Sequence, residues 1–513
     1  MTCSNLLVKI LGMLFKIPLT NLVGEEGMAY YNLAYNIFKW FYMISTAGLP
    51  VAVSILIARC RAMRQARQLA ATDRVATFSL TVIGAVGCAV MMLFSGAFAD
   101  LQGAPDAKGC MLFIAPSLFF ICVSSAIRGY FQGFEELMPT AVSQVIEAGC
   151  KLGLGMLFAL YALRVRQLPL YAVAAWAIGG STVGTALSML YLIGKKAHLR
   201  PALQPAARSR ERRDRYRTIA QGLAKIALPI TLCASVMSLT DLIDSVLIIN
   251  RLTGAAGVSH ELALRQYGNY TSLAVPMYNL PLALIYPMCT AVVPALSAAR
   301  AAGDKEKLRA ILNRTFQNVT LLAMPATLGL CVLSYPVLAL LYRPAMAQTG
   351  APLLSVLSLS VFFVAILSVT NAALQATGHE KLPIISMLIG AGVKIVSSSI
   401  LTAHPEIGIL GAPMSTSLCY FVIMLLNFRF VLKYTGVALS VSRIFFRPFC
   451  AAVGCAVCAA GSYRVLLHFA PKAVSTLLAI FVAVMVYALA VISLMPGENL
   501  KALFRRGTDQ SRS

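Results

Sequence analysis

The sequence predicts an all-α integral membrane protein of about fourteen transmembrane helices, arranged as two six-helix lobes related by a parallel pseudo-twofold repeat plus two extra C-terminal helices. Three observations carry that expectation. Of 513 residues 59% are hydrophobic and only 12% charged, whereas soluble domains carry about 25% charged residues. Apolar segments of about 20 residues, enough to cross roughly 30 Å of hydrocarbon as helix, recur along the whole chain. The signature I-x-A-G-x-K occurs twice, at residues 146–151 and 389–394, inside apolar sequence each time.

The expected spans are 5–23, 28–58, 75–98, 110–131, 138–163, 169–194, 219–250, 268–299, 310–341, 351–376, 382–402, 407–432, 443–466 and 473–495. The first begins almost at Met1 and contains Lys9 and Lys16. No small-residue cleavage site follows it and the next span begins at once, so it reads as a membrane helix and not as a signal peptide. Prolines and polar residues interrupt the second, fourth, eighth and tenth spans. Pro276, Pro281 and Pro287 within the eighth imply a bent helix along a cavity, where neighbours can satisfy freed backbone groups.

The repeat extends upstream of the signature at one offset: Phe119-Phe120 over Phe362-Phe363, Ser125 over Ser368 and Gln132 over Gln375. Pro139 and Pro383 follow one place out of register, and Ala52-Val53 with Arg61 echo Ala291-Val292 with Arg300. Six spans per lobe is an even number, so both lobes enter from one side and the repeat is parallel. The expected division is an N-lobe at 1–195, a basic cytoplasmic linker at 196–217, a C-lobe at 218–433, and a C-terminal helix pair with a basic tail at 434–513.

Loops after even spans, together with the C-terminal tail, hold 28 Lys and Arg against seven in loops after odd spans. Positive charge stays cytoplasmic, which places both termini inside a multi-pass protein of the cell membrane. The net charge of +24 and the run from Arg208 to Arg217 therefore read as a connector touching anionic lipid headgroups, not as a nucleic-acid surface. The thirteen cysteines are scattered, as at Cys88, Cys122, Cys233 and Cys331, and read as small core residues, not disulfides or metal ligands.

An ionisable side chain inside a membrane helix is costly and usually faces a bundle interior or a watery cavity. The candidates are Lys9, Lys16, Lys39, Glu147, Lys151, Lys225, Asp241, Asp244, Arg314 and Lys394. Lys225 and Arg314 lie near a cytoplasmic end and can snorkel. Glu147 and Lys151 stand at i,i+4 in the favourable order for an intrahelical ion pair. The second copy has Gly390 where the first has Glu147, so Lys394 needs another partner and is the stronger site candidate of the two lysines. Asp241 and Asp244, at i,i+3, are placed to share a face and couple their titrations, for ion coupling or charge balance. Lys16, Lys39, Lys151 and Lys394 set against Glu147, Asp241 and Asp244 give a cavity of positive or balanced potential, suited to an anionic headgroup such as pyrophosphate.

No G-x-x-x-x-G-K-[ST], HExxH or nucleophile elbow stands in a suitable context, and all five histidines fall in expected loops or near span ends. The expectation is a protein that is not an enzyme, with no catalytic residue, cofactor or metal.

The runs Leu11 to Gly27, Tyr30-Tyr31-Asn32-Leu33-Ala34-Tyr35, Ser45 to Ser54 and Arg128-Gly129-Tyr130-Phe131-Gln132-Gly133, with the region from Asp244 through Arg251-Leu252, resemble the stage V sporulation protein B and polysaccharide-biosynthesis (oligosaccharide flippase) family. That family lies in the multidrug/oligosaccharidyl-lipid/polysaccharide exporter superfamily, alongside lipid II flippases. The resemblance covers essentially the whole chain. It implies a flippase exporting an undecaprenyl-pyrophosphate-linked cell-wall or polysaccharide precursor, lipid II or another lipid-linked oligosaccharide, by alternating access of the two lobes. It also implies that the C-terminal pair grooves the lipid tail and that Lys16 is the family's basic residue of the first span. The expected protein is a monomer. Two alternatives stand beside this: a cation-coupled multidrug exporter of the same superfamily, and a non-transporting membrane scaffold for spore-envelope or wall synthesis.

Overall fold

The computed structural model describes residues 2–203, 216–436, 440 and 442–494. Most of the expected linker and the C-terminal tail lie outside the described residues, as does the side chain of Lys9. Among the described residues there are helices and turns but no strands. Chains that span lipid must satisfy every backbone group internally, and helices do so within one segment.

The first helix, α1 (Thr2–Thr46), runs through both of the first two expected spans, with Gly24 non-helical inside it at φ 74° and ψ −174°. Only glycine adopts that conformation without strain, and the break divides span one from span two. The second span breaks again before α2 (Leu49–Ala62), where Pro50 occupies the first turn. A proline there has no N–H to leave unsatisfied. The 28–58 segment expected as one helix is therefore two.

The chain continues through α3 (Ala66–Leu93), a short α4 (Ser95–Leu101), α5 (Lys108–Gly133), α6 (Met138–Leu160) and α7 (Leu170–Leu203). Then follow α8 (Tyr216–Gly254), α9 (His260–Asn269), a π-helical turn at Tyr270–Ala274, α10 (Val275–Ala301) and α11 (Lys305–Val332). The final elements are a short α12 (Ser334–Leu341), α13 (Pro344–Ala376), α14 (Lys381–Leu401), α15 (Gly411–Thr435), α16 (Arg447–Leu466) and α17 (Lys472–Leu494). Asp304 caps α11 by accepting from the Lys307 backbone N–H at 2.8 Å, which satisfies one of the orphan donors of a first turn.

Twelve helical stretches among the described residues are long and apolar enough to cross a membrane. Dividing the first at Gly24 and adding the 39-residue α8 recovers the fourteen expected segments. Large apolar side chains such as Phe78, Val86, Val457 and Phe481 stay exposed, as a lipid-facing surface requires.

The chain divides into two compact units, Met1–Ser272 and Leu273–Ser513. Inside the first, α3 packs on α5, α5 on α7, α6 on α7 and α2 on α5; inside the second, α11 packs on α13, α13 on α15, α14 on α15 and α10 on α13. The short α4 follows α3 just as α12 follows α11. This recurring neighbour pattern in the same chain order shows that the two units repeat one helix arrangement. In the first unit α6 and α7 approach closely: a Cβ on Gly180 would lie 2.2 Å from the Gly155 nitrogen. Small residues permit such contact between membrane helices.

Cys455 and Cys458 depart from the expected scatter, forming a C-x-x-C spacing on α16. The helix separates their environments: Cys455 is buried, its thiol donating to the Ala483 carbonyl at 3.2 Å, while Cys458 is exposed. Both are free thiols, like every described cysteine.

Candidate functional site

The half of α1 that follows Gly24 carries Tyr31, Tyr35, Phe38 and Tyr42 at helical spacing. Their rings form a ladder, with successive centroids 6.1, 5.8 and 6.1 Å apart. Lys151 projects from α6 onto one end of it, with its Nζ 5.3 Å from the Phe15 ring centroid, 5.9 Å from Tyr31 and 4.9 Å from Tyr35. Aromatic faces are electron-rich and hold an ammonium without neutralising it.

The i,i+4 pair of Glu147 with Lys151 does not form. Glu147 instead accepts from Arg128 of α5 at 3.1 Å. Arg128 also donates to the hydroxyls of Ser143 at 3.0 Å and Ser188 at 3.2 Å. A guanidinium satisfies several acceptors at once, so the helix packing outcompetes the local rule and leaves Lys151 to the aromatic rings.

Lys16 donates to the Thr271 carbonyl at 3.0 Å, within the π-helical turn. Two asparagines of α1 hold the same stretch. Asn32 donates to Thr271 Oγ1 at 3.0 Å and Ser272 Oγ at 2.6 Å, and Asn36 donates to Tyr267 Oη at 3.1 Å. The approach is close because Gly268 has no side chain: a Cβ there would lie 1.9 Å from the Glu25 carbonyl oxygen.

Lys39 pairs with Asp241 of α8 at 2.5 Å, with side chains 35% and 39% exposed. Asp244, one turn further on, is 5% exposed and accepts from Tyr270 Oη at 3.3 Å. The two aspartates expected to couple with each other thus have different partners. Lys16 lies within electrostatic reach of Lys39, Lys151 and Asp241, so three of the four candidate lysines converge in the first unit.

Lys394 belongs to the second unit, where it is 1% exposed on the face of α14 shared by Gly390, Ala391, Ser397 and Ser398. Lys225 and Arg314 are exposed, as snorkelling residues should be. Sequence reasoning missed Asn32, the aromatic ladder and the role of Arg128 as the partner of Glu147. The ladder had a signal, rings at i, i+4, i+7 and i+11; the asparagines had none, because an isolated amide in an apolar run declares no partner. A buried pair of Lys196 with Asp73 at 2.5 Å, the ammonium also 4.8 Å from the Tyr130 ring centroid, was hidden among basic loop residues.

Among the described residues no group of three or more His, Cys, Asp or Glu gathers where a metal ion would be held. A cavity of about 500 Å³ between α3 and the start of α8 is lined by Arg74, Val75, Phe78, Ser79, Tyr216, Arg217 and Ala220.

Residues 1–300 match the family model for polysaccharide biosynthesis proteins, and residues 270–400 match the MatE model. The chain is 26% identical to stage V sporulation protein B of Bacillus subtilis (strain 168) over 86% of its own length and 84% of the relative's. It is 24% identical to the lipid II flippase MurJ of the same organism, over 85% and 82%. Among solved structures, a lipid II flippase MurJ in an inward closed conformation superposes with a TM-score of 0.72 at 16% identity, covering 96% of this chain and 98% of that one. An inward-facing multidrug resistance MATE transporter superposes with a TM-score of 0.71 at 17% identity, covering 84% and 94%. Both likenesses establish the fold.

Proposed function

The chain belongs to the polysaccharide biosynthesis protein family and is a multi-pass transporter of the multidrug/oligosaccharidyl-lipid/polysaccharide exporter superfamily, and on that premise we propose that it flips an undecaprenyl-pyrophosphate-linked glycan precursor, of the lipid II kind, outward across the cell membrane. The observation that carries this reading is the convergence of Lys16, Lys39 and Lys151. Lys16 donates to a backbone carbonyl and Lys151 lies over aromatic faces, so neither is ion-paired with a carboxylate among the described residues. Phosphate oxygens take such charge-assisted hydrogen bonds well. Glu147, Asp241 and Asp244 balance the set, and Lys394, in the second unit, is proposed as a further substrate-binding cation on its own lobe.

Alternating access of the lobes 1–195 and 218–433 moves the headgroup, the lipid tail following outside the lobes along the 434–513 pair, in a protein that works as a monomer. Anionic phospholipids contact the basic loops, with Arg74 and Arg217 beside the apolar wall of Val75 and Phe78 as one such place. A relative covered over most of its length is a lipid II flippase, and no chemical step is assigned to the chain.

The test is translocation of labelled lipid II by the purified chain in proteoliposomes, beside other undecaprenyl-linked sugars and a cationic dye, under imposed sodium, proton and voltage gradients. Pyrophosphate-linked lipid moves and the dye does not. Dye transport without lipid transport would establish the multidrug exporter that the MatE match favours, and movement of neither would leave a scaffold.

Orientation is checked separately. Single cysteines placed at Arg64 and Arg300 on a cysteine-free background react only with reagent that enters the cytoplasm, whereas one at Lys108 reacts from outside. The reverse pattern would invert the topology drawn from the positive-inside rule.

A further inference from the structure

We propose that Asp241 is a specificity-determining residue: it occupies Lys39 as an internal anion and so keeps singly charged phospholipids out of the lysine site while yielding to a doubly charged pyrophosphate. The inference rests on the flippase reading and concerns how that site chooses among lipids. A cationic site inside a membrane protein is surrounded by phosphodiester headgroups at far higher concentration than any lipid-linked precursor. Something must prevent them from filling it.

The partners of the lysines differ in the way this task needs. Lys39 is bound to a full negative charge, Asp241 at 2.5 Å, and both side chains are more than a third exposed, so the contact is open to exchange. Lys16 is bound to a neutral carbonyl, Thr271 O at 3.0 Å. Asp244 does not substitute for Asp241, because its carboxylate is 5% exposed and receives the Tyr270 hydroxyl. Glu147 does not either, being held by Arg128 at 3.1 Å.

A phosphodiester carries one negative charge. Taking Lys39 from Asp241 exchanges one charge-assisted contact for another and leaves an aspartate without its cation in a membrane helix, which is a net cost. A pyrophosphate diester carries two negative charges and can engage Lys39 and Lys16 together. It exchanges one ion pair for another and replaces an ammonium–carbonyl hydrogen bond with a full ammonium–phosphate contact, and that added ionic contact offsets the cost of leaving Asp241 without its cation. Specificity thus arises from an unfavourable exchange built against the abundant competitor.

The experiment compares wild type, Asp241→Asn and Asp241→Glu, each as the full chain, in vesicles of phosphatidylcholine with and without phosphatidylglycerol. The readout is the ratio of lipid II translocation rates in the two membranes, whatever the absolute rate. The ratio stays near one for wild type and for Asp241→Glu, and falls about tenfold for Asp241→Asn, the size expected of one close charge pair. In parallel, native mass spectrometry counts phosphatidylglycerol retained by each purified protein, and Asp241→Asn retains more. An unchanged ratio and unchanged retention in Asp241→Asn overturn the inference and leave the flippase reading standing. Increased retention with no translocation by wild type supports the inference for an anion site and removes the flippase reading.

Discussion

Lys16→Leu abolishes translocation of pyrophosphate-linked lipid while the protein remains folded in the membrane. The contrast between the two effects follows from what Lys16 touches. Among the described residues it donates one hydrogen bond, to the Thr271 carbonyl, and losing a hydrogen bond that involves a charged group costs about 1.5–3 kcal/mol. Replacing a lysine within a membrane helix by leucine removes a penalty of roughly 2.5–3.5 kcal/mol. Asn32 and Asn36 continue to hold the π-helical turn and α9, so thermal unfolding in detergent stays at or above the wild-type temperature. Truncating a desolvated charge pair typically costs about 2–5 kcal/mol, equivalent to roughly 30-fold or more in affinity. Transport in proteoliposomes falls by at least that factor, and Lys16→Arg recovers part of it by restoring the charge. Wild-type transport by Lys16→Leu would remove Lys16 from the site.

The second large effect is on stability. Arg128→Met leaves Glu147 without its guanidinium, and removing one partner of a buried ion pair costs about 3–5 kcal/mol. The Arg128 side chain is 11% exposed and Glu147 28%, and Ser143 and Ser188 lose their donor in the same substitution. Glu147→Gln added to Arg128→Met returns most of the loss, because no charge is then stranded. Equal melting of the single and double variants would mean the pair contributes nothing. In the single variant Glu147 is free to reach Lys151 one turn away, which draws that ammonium off the Phe15, Tyr31 and Tyr35 rings. Transport therefore falls in Arg128→Met at temperatures where the fold is intact.

These two residues show what kind of knowledge a sequence holds. Lys16 is conspicuous in one dimension, since a cation beside Ile17-Pro18 in an apolar run has few structural excuses. Arg128 is not, because it stands at the edge of an expected span where basic residues are ordinary. Its partner Glu147 has a nearer cation in the sequence, Lys151, and the i,i+4 rule chose wrongly. That rule describes isolated helices, where a pair contributes a few tenths of a kcal/mol. Tertiary packing brings a guanidinium with two further acceptors, Ser143 and Ser188, to the same place, and that easily prevails.

The break of the second span at Gly48-Leu49-Pro50 was announced by its residues. The separation near Gly24 was also expected, between spans 5–23 and 28–58; what the sequence did not show is that a single glycine at φ 74° makes it, beside Gly268 packed against the Glu25 carbonyl.

By itself the sequence determined that this is a helical membrane protein, how many segments it has, and that its architecture is repeated. Those properties follow from transfer free energies and segment lengths, which are sums over neighbouring residues and need no knowledge of distant ones. Only the tertiary structure decided which charge meets which. Lys16 and Thr271 are 255 positions apart and Lys39 and Asp241 are 202 apart, and an ion in low dielectric takes whichever partner the packing delivers. The lysines were legible as costly residues. That Asp241 rather than Asp244 holds Lys39, and that rings rather than Glu147 hold Lys151, was settled by how the helices pack.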